Sequence, residues 1–233
     1  FASFNMVFLC KNKFGYKNLC AILTICQKSR EGQIGIAPEE LSKDTLDGLI
    51  VLSGDQDGDI GQAIIRKDFV TAKKRLIWWE EQTNGNFFCQ MSKLEKANEL
   101  QYFNGLAQLS NNLPVRPLAT NQVRFLEKKD FLVHEARVCI QQGVTLDDNR
   151  RRKNFSEGQF FCTANQMKRK FQGLEVAIVN SVKVAIQCNF DFKAKGNLLP
   201  LFPTGHKLAE ADYLREQTIE GLRLRLGDSS EGN

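Results

Sequence analysis

Short apolar runs alternate with helical patterns along this chain at intervals of about 30 residues, and this alternation constrains its fold most strongly. Pro117 lies inside the fourth apolar run and cannot donate to a sheet ladder, so that run is expected at a sheet edge or end. Strand, helix, strand in succession predicts an α/β fold with a mostly parallel sheet covered by helices. The predicted strands are Asn5–Cys10, Gly48–Ser53, Asn86–Met91 and Val115–Thr120.

Apolar residues at helical spacing predict the helices that connect and follow these strands. The first strand is followed by Lys11–Gly15, without the G-x-G-x-x-G turn that is usual in an open doubly wound sheet. A barrel-like arrangement is therefore preferred. The predicted helices are Phe14–Ser29, Gly61–Arg66, Phe69–Gln82, Leu94–Ser110, Phe131–Gln141, Thr163–Phe171, Leu174–Cys188 and Leu208–Leu226.

The composition excludes several classes of protein. No apolar run approaches the roughly 18 residues of a membrane span, and the first residues lack the pattern of a signal peptide. They also lack a Met, so the natural start is expected upstream. Seven scattered cysteines without a C-x-x-C pair fit a reducing cytosol, and a net charge of +5 permits a nucleic-acid neighbourhood without demanding one.

The acidic run Asp55–Asp59 resembles a calcium loop only superficially. A calcium-binding EF-hand loop needs Gly at position six and Glu at position twelve, where this sequence has Ile60 and Arg66. The run is better interpreted as a turn, with Asp59 as a cap for a helix beginning near Ile60. In the next helix, the adjacent residues Trp78 and Trp79 point about 100° apart, so one is expected to be buried and the other partly exposed.

Histidine is too scarce for a hydrolytic metal site, which needs several imidazoles and carboxylates at one point. Only His134 and His206 are present, and both are expected to have structural or surface roles. The basic run Arg150, Arg151, Arg152 and Lys153 has two interpretations: it contacts a phosphate backbone, or it is a connector paired with nearby acidic residues. No P-loop, G-x-S-x-G or H-E-x-x-H motif occurs.

Several segments, in family order from about Met6 to Leu226, resemble the alpha subunits of bacterial DNA polymerase III. Any one match is weak, but their shared order and spacing make the resemblance strong. The matching segments are Phe14–Leu19, Asp47–Gly54, Gly58–Gly61, Leu118–Asn121, Asp130 with His134–Glu135, Gly143–Asp148, Asn154–Ser156 and Leu199–Gly205.

The resemblance implies an incomplete, distorted (βα)7 TIM-like barrel of the PHP (polymerase and histidinol phosphatase) family. Residues 1–203 would form the later part of this PHP domain, and residues 204–233 would start a helical connector toward the polymerase palm. The early H-x-H strand of the family would lie upstream, and the palm carboxylates that perform nucleotidyl transfer would lie downstream. An isolated piece of such a barrel is expected to be unstable or to aggregate.

Some family members use the PHP domain as a metal-dependent phosphoesterase, and this sequence departs from their pattern. Where they have Asn-Asp-x-His, it has Asn121, Gln122 and Arg124, and a further expected His position falls at Lys93. An amide is a poor substitute for a carboxylate ligand, and a guanidinium repels a cation. The resemblance thus implies a vestigial metal site and no catalytic residue in this segment.

The implied role is a scaffold and docking domain within the catalytic subunit of a cytoplasmic replicative DNA polymerase. Its implied partners are the rest of the chain and a proofreading exonuclease subunit, with the sliding clamp and DNA bound by other regions and no membrane. No cofactor is expected in this segment, whereas the whole polymerase would use Mg²⁺. The alternative is a metal-dependent phosphoesterase or 3′–5′ exonuclease.

Overall fold

The four apolar runs form one sheet with the strand order β1-β2-β3-β4 in the computed structural model. The structure describes residues 3–28, 35–148, 151, 153–191, 196, 201–204 and 209–227. The strands β2, β3 and β4 are parallel, whereas β1 is antiparallel to β2. The α/β fold is confirmed, and the reversed β1 limits the predicted parallel sheet to three strands. The strands are β1 Val7–Cys10, β2 Leu49–Leu52, β3 Phe87–Ser92 and β4 Pro117–Thr120.

The helices lie close to their predicted positions. Helix α4 has the predicted bounds, whereas α5 starts at Glu99, later than predicted, because Leu94 lies in the loop that leaves β3. The helices of the described residues are α1 Lys13–Lys28, α2 Lys43–Leu46, α3 Asp59–Ile65, α4 Phe69–Gln82, α5 Glu99–Ser110, α6 Phe131–Gln142, α7 Ala164–Lys170, α8 Glu175–Gln187 and α9 Glu210–Leu226.

Both faces of the central strands are buried, which explains why β2 and β3 are almost continuously apolar. One face packs into the main core with helices α3, α4 and α5, and it includes Val51 and Phe87. The other face forms a smaller cluster in which Ile50 and Phe88 pack with Val184 of α8. The sheet is therefore a middle layer between helices.

Strand β4 is the last strand of the sheet in the described part of the chain, as Pro117 predicted. The Arg116 carbonyl accepts from Cys89 N of β3, so the next carbonyl, that of Pro117, points toward the other side of β4. Asn180 of α8 donates its Nδ2 to this carbonyl at 2.8 Å. Helix α8 thus satisfies an edge carbonyl that has no strand beside it among the described residues.

Two glycines let the chain turn sharply after β2. Gly54 has φ +75°, and a Cβ there would lie 1.7 Å from the carbonyl oxygen of Asn5. A Cβ at Gly58 would lie 1.6 Å from the carbonyl oxygen of Ser53. Residues Asp55–Asp57 between them form a 3₁₀ turn, which confirms the interpretation of this acidic run as a turn.

The chain divides into two compact units, residues 1–190 and residues 191–233. The sheet belongs to the first. In the second, α9 carries Tyr213, whose ring stacks on Phe202 with 5.7 Å between the ring centres. The predicted domain boundary after residue 203 stays a prediction. Across the described residues, no helix has both the length and the apolar character that a membrane span requires.

Candidate functional site at the carboxyl edge of the sheet

The carboxyl ends of β2, β3 and β4 bring polar side chains from three loops together. Parallel strands end at a common edge, where α/β folds usually place their ligand sites. Asp55 follows β2, Ser92 ends β3, Thr120 ends β4, and Gln122 comes two residues later. This edge is the candidate functional site.

A continuous chain of hydrogen bonds connects these side chains. The Gln122 amide donates from Nε2 to Asp55 Oδ2 at 3.2 Å and to Ser92 Oγ at 3.3 Å. The hydroxyls of Ser92 and Thr120 lie 2.8 Å apart, and Gln90 Nε2 donates to Thr120 Oγ1 at 3.0 Å. The site is therefore a polar network that runs from Asp55 through Gln122, Ser92 and Thr120 to Gln90.

Asp55 is the only carboxylate in this chain of hydrogen bonds among the described residues, and it is 3% exposed. Burial raises the pKa of its carboxyl to about 6, while a hydrogen bond from Ser92 and the charge of Lys96 oppose the rise. Its Oδ1 has no hydrogen-bond partner within the described structure. A buried carboxyl with one unsatisfied oxygen binds a proton more readily than a carboxyl in water.

The backbone at both ends of the Asp55–Gln122 hydrogen bond is left-handed, with φ +58° at Asp55 and φ +44° at Gln122. This conformation costs about 1–2 kcal/mol per residue when a Cβ is present. Contacts hold Gln122 in it, since Gln159 donates from Nε2 to its carbonyl oxygen at 3.1 Å. Local strain at such a position indicates that the tertiary structure fixes the geometry of the site.

The donor set does not fit a hydrolytic metal ion. Such an ion needs several carboxylates or neutral imidazoles, and within the described ranges no group of three or more His, Cys, Asp or Glu side chains converges. At this edge, Gln122 donates an amide N–H to Asp55 Oδ2 instead. This donor competes with a cation for the lone pairs of that oxygen.

The other two predicted vestigial positions lie beside Gln122. Asn121 is 8% exposed, and its Oδ1 accepts from Lys170 Nζ at 2.9 Å. Arg124 places its guanidinium 5.6 Å from the centre of the Phe155 ring. Lys93, at the further expected His position, lies 5.6 Å over the ring of Phe171. Their role as vestigial metal positions stays a prediction.

The basic run is only partly described. Arg150 and Arg152 lie outside the described residues, and Lys153 is exposed. Arg151 forms an ion pair with Glu135 of α6, and both side chains are less than a tenth exposed. The hydrogen bond from Arg151 to Glu135 raises the pKa of the guanidinium. Arg151 is thus held by a carboxylate, while nucleic-acid contact by this run stays a prediction.

Of the two histidines, His134 is described and His206 lies outside the described residues. His134 packs between aromatic rings, with its ring centre 4.6 Å from that of Phe155 and 5.6 Å from that of Phe125. Its Nε2 is buried without a hydrogen-bond partner in the described structure. It takes no part in the polar network at the sheet edge.

Asp59 has a structural role different from the predicted cap. The 3₁₀ turn ends at Asp57, so Gly58 takes the cap position and helix α3 begins at Asp59 itself. Asp59 accepts from Trp79 Nε1 at 2.9 Å and from the Ile60 backbone N–H at 2.7 Å. Trp79 is 4% exposed and Trp78 is half-buried, as their spacing predicted.

Sequence reasoning missed Asp55, Gln90, Ser92 and Thr120 as members of the site. Each of them lies in or just after a predicted strand, within three residues of its carboxyl end. Since parallel strands share that edge, the position of a polar residue at a strand end was the available indication. Asp55 was instead interpreted only as part of a turn.

A protein-family model and several known proteins match this chain, and these matches agree with one another. Residues 2–94 match the family model of the PHP domain. The chain is 33% identical over 220 residues to "DNA polymerase III subunit alpha" of Pseudomonas aeruginosa, covering 94% of this chain and 19% of that protein. The same subunit of Escherichia coli (strain K12) is 32% identical over 226 residues, covering 95% of this chain and 19% of that protein.

The corresponding subunit of Haemophilus influenzae is 30% identical over 223 residues, which is 96% of this chain and 19% of that protein. The chain thus spans about a fifth of the length of the curated relatives it matches. The resemblance inferred from the short motifs is confirmed by these matches.

Proposed function

We propose that this chain, a homologue of a segment of the bacterial DNA polymerase III alpha subunits with PHP-domain sequence over residues 2–94, is a non-catalytic scaffold within a DNA-directed DNA polymerase. In this proposal the nucleotidyl-transfer chemistry and its Mg²⁺ belong to other parts of the polypeptide. The segment supports the polymerase core and docks a proofreading exonuclease subunit. The proposed setting is the cytoplasm.

The polar network at the sheet edge is the observation that carries the proposal. Phosphoesterase chemistry needs a metal ion that activates water, or an equivalent nucleophile and base. Here Asp55 is bonded to an amide donor of Gln122, and the remaining groups are hydroxyls and amides. This arrangement supports a structural role, and it disfavours the alternative of a phosphoesterase or 3′–5′ exonuclease.

The finer fold belongs to the same proposal. Three parallel strands with helices on both faces, and a polar edge at their carboxyl ends, are compatible with part of a distorted (βα)7 barrel. A parallel bridge between Phe125 and Phe160 adds a short strand-like contact beyond β4. Residues 204–233 are proposed as the start of a helical connector.

The proposal is tested on the full-length polymerase chain. Any hydrolysis of p-nitrophenyl phosphate in the presence of Mn²⁺ or Zn²⁺ is expected to be independent of Asp55. The variant D55N and the matched control D57N are therefore expected to show the same background rate. Asp57 suits as control because its side chain is exposed two residues away. A metal-dependent rate that D55N removes and D57N retains would establish the phosphoesterase instead.

Docking is tested separately by binding of the proofreading subunit to the full-length chain and to a chain without this segment. Loss of binding on deletion is the expected result, while retained binding of the sliding clamp shows that the rest of the chain is folded. Polymerase activity on primed DNA is expected to fall, because the segment supports the polymerase core. Unchanged exonuclease binding after the deletion contradicts the docking role while leaving the non-catalytic role intact.

A further inference from the structure

The last residue of α7 reaches the carboxyl edge of the sheet. Lys170 donates from Nζ to Asn121 Oδ1 at 2.9 Å and to the Gly158 carbonyl oxygen at 2.9 Å. The same ammonium lies 5.2 Å from the centre of the Phe160 ring. One cation thus connects the end of β4 with a second segment, Ser156–Cys162, which we call the strap.

The three groups around Lys170 are neutral and electron-rich: an amide oxygen, a peptide carbonyl and an aromatic face. Each attracts a cation, and together they form the kind of cradle that binds an ammonium. In the described part of the chain, no carboxylate lies within ion-pair distance of Lys170. The lysine is therefore held by dipoles and a ring rather than by a salt bridge.

The strap itself lies across the ends of β3 and β4. Gln159 is 1% exposed, and its backbone oxygen accepts from Arg124 N at 2.8 Å. A Cβ at Gly158 would lie 3.3 Å from Leu94 Cα, just after β3. Beneath the strap, Ser92 is 1% and Gln90 is 6% exposed. The strap thus lies over part of this edge, since Gln90 and Ser92 are buried whereas Thr120 and Gln122 are half-buried.

We infer that Lys170 is a built-in cation that fastens the strap over the carboxyl edge of the sheet and so restricts the access of external ligands to Gln90 and Ser92. The inference rests on the proposed non-catalytic function and deepens it. Lys170 donates to Asn121 and the Gln122 amide donates to Asp55, so donors of this chain hold the edge together.

The test uses Cys162, at the end of the strap, as a probe in the full-length chain. Its thiol is half-buried, and its Sγ accepts from Asn121 Nδ2 at 3.4 Å. In K170M, alkylation of Cys162 by iodoacetamide, followed by peptide mass spectrometry, is expected to accelerate roughly tenfold, because charge-assisted hydrogen bonds that oppose local opening are lost. K168M is the matched control, since Lys168 is exposed on the same helix.

Two further readouts make the result decisive. The first is alkylation of buried Cys89, which reports global unfolding. The second is chemical rescue: in K170A, added methylammonium is expected to slow Cys162 alkylation again, while sodium at equal ionic strength has no effect. Equal Cys162 rates in K170M and K168M overturn the inference. The inference is also overturned if Cys89 becomes exposed in K170M and is equally exposed in K170R, because Lys170 would then support the whole fold. None of these readouts depends on exonuclease binding or phosphoesterase activity, so a failure here is distinct from a failure of the proposed function.

Discussion

At the scale of single residues, the site is decided by how buried polar groups find partners. Asp55 is buried behind β2, and the amide of Gln122 satisfies one of its oxygens. Cys89 shows the same effect of burial on a group without catalytic use, since desolvation raises the pKa of its thiol to about 12. For these two groups the raised pKa thus marks burial and is not by itself a mark of catalysis.

The raised pKa of Asp55 makes stability depend on pH in a defined direction. The carboxyl titrates at about pH 6 in the folded chain against an ordinary value of 3.8, so the folded state binds the proton more tightly. The stability that this tighter proton binding adds is fully present below pH 3.8, the ordinary pKa of the carboxyl. It is lost as the pH rises through about 6, the pKa in the folded chain. The loss corresponds to about 3 kcal/mol.

D55N removes this titration and suits the left-handed backbone, which Asn tolerates. The free energy of unfolding of D55N relative to the unaltered chain is therefore expected to rise between about pH 4 and about pH 7, by up to about 3 kcal/mol. Native-state amide hydrogen exchange of β2 in the full-length polymerase chain, at a series of pH values and corrected for intrinsic exchange, measures it, with D57N as the control. A pH-independent difference would contradict the assignment.

At the scale of elements, the turn between β2 and α3 sets the position of Asp55. The close approaches of Gly54 and Gly58 to backbone carbonyls leave no room for a Cβ. The same segment also positions Asp59 to accept a hydrogen bond from the indole of Trp79, and this bond links α3 to α4. One short segment therefore fixes both the buried carboxyl of the site and the packing of two helices.

G58A is expected to destabilise the first unit by about 3 kcal/mol or more, because backbone atoms have to move to admit the methyl group. G221A in α9 is the control, since nothing lies within 4 Å of the Cβ that it adds. Alanine is favoured over glycine inside a helix by roughly 0.5–1 kcal/mol, so the control is expected to be neutral or stabilising. Native-state amide hydrogen exchange of the first unit in the full-length polymerase chain compares the two, and equal protection would contradict the close contact.

At the scale of the whole molecule, helix α8 shows how much apolar side chain the described surface exposes. Helix α8 packs Val184 inward yet also exposes a stripe of aliphatic side chains on its outer face. An exposed apolar stripe on the outer face of a helix usually marks a surface that packs against a further partner. The exposed residues of this stripe are Val176 at 62%, Val179 at 50%, Val182 at 54% and Ile186 at 72%.

The 233-residue chain on its own is therefore expected to self-associate and to lack a cooperative thermal transition. Replacing Val176, Val179 and Val182 by Lys is expected to increase the monomer fraction in sedimentation velocity. The same change to Lys at the exposed polar positions Glu175 and Gln187 is the control for added charge. A monomeric unaltered chain with a sharp transition would contradict the prediction.

The sequence alone determined the elements of this protein. Short apolar runs located every strand among the described residues, and apolar residues at the 3.6-residue period located most of the described helices to within a few residues. Pro117 placed β4 at an edge, since a residue without an N–H cannot sit in the middle of a ladder. The angle of about 100° between adjacent helical positions likewise predicted that one of Trp78 and Trp79 is buried and the other partly exposed.

Only the tertiary structure decided what the elements build together. The antiparallel direction of β1 is not encoded in its own apolar pattern, which is the same for either direction. Asp55 and Gln122 are 67 positions apart, and their hydrogen bond exists because parallel strands end at one edge. Long-range pairing, desolvation and strain are properties of the folded chain, so a site made from single residues of separate loops is formed only when those loops meet.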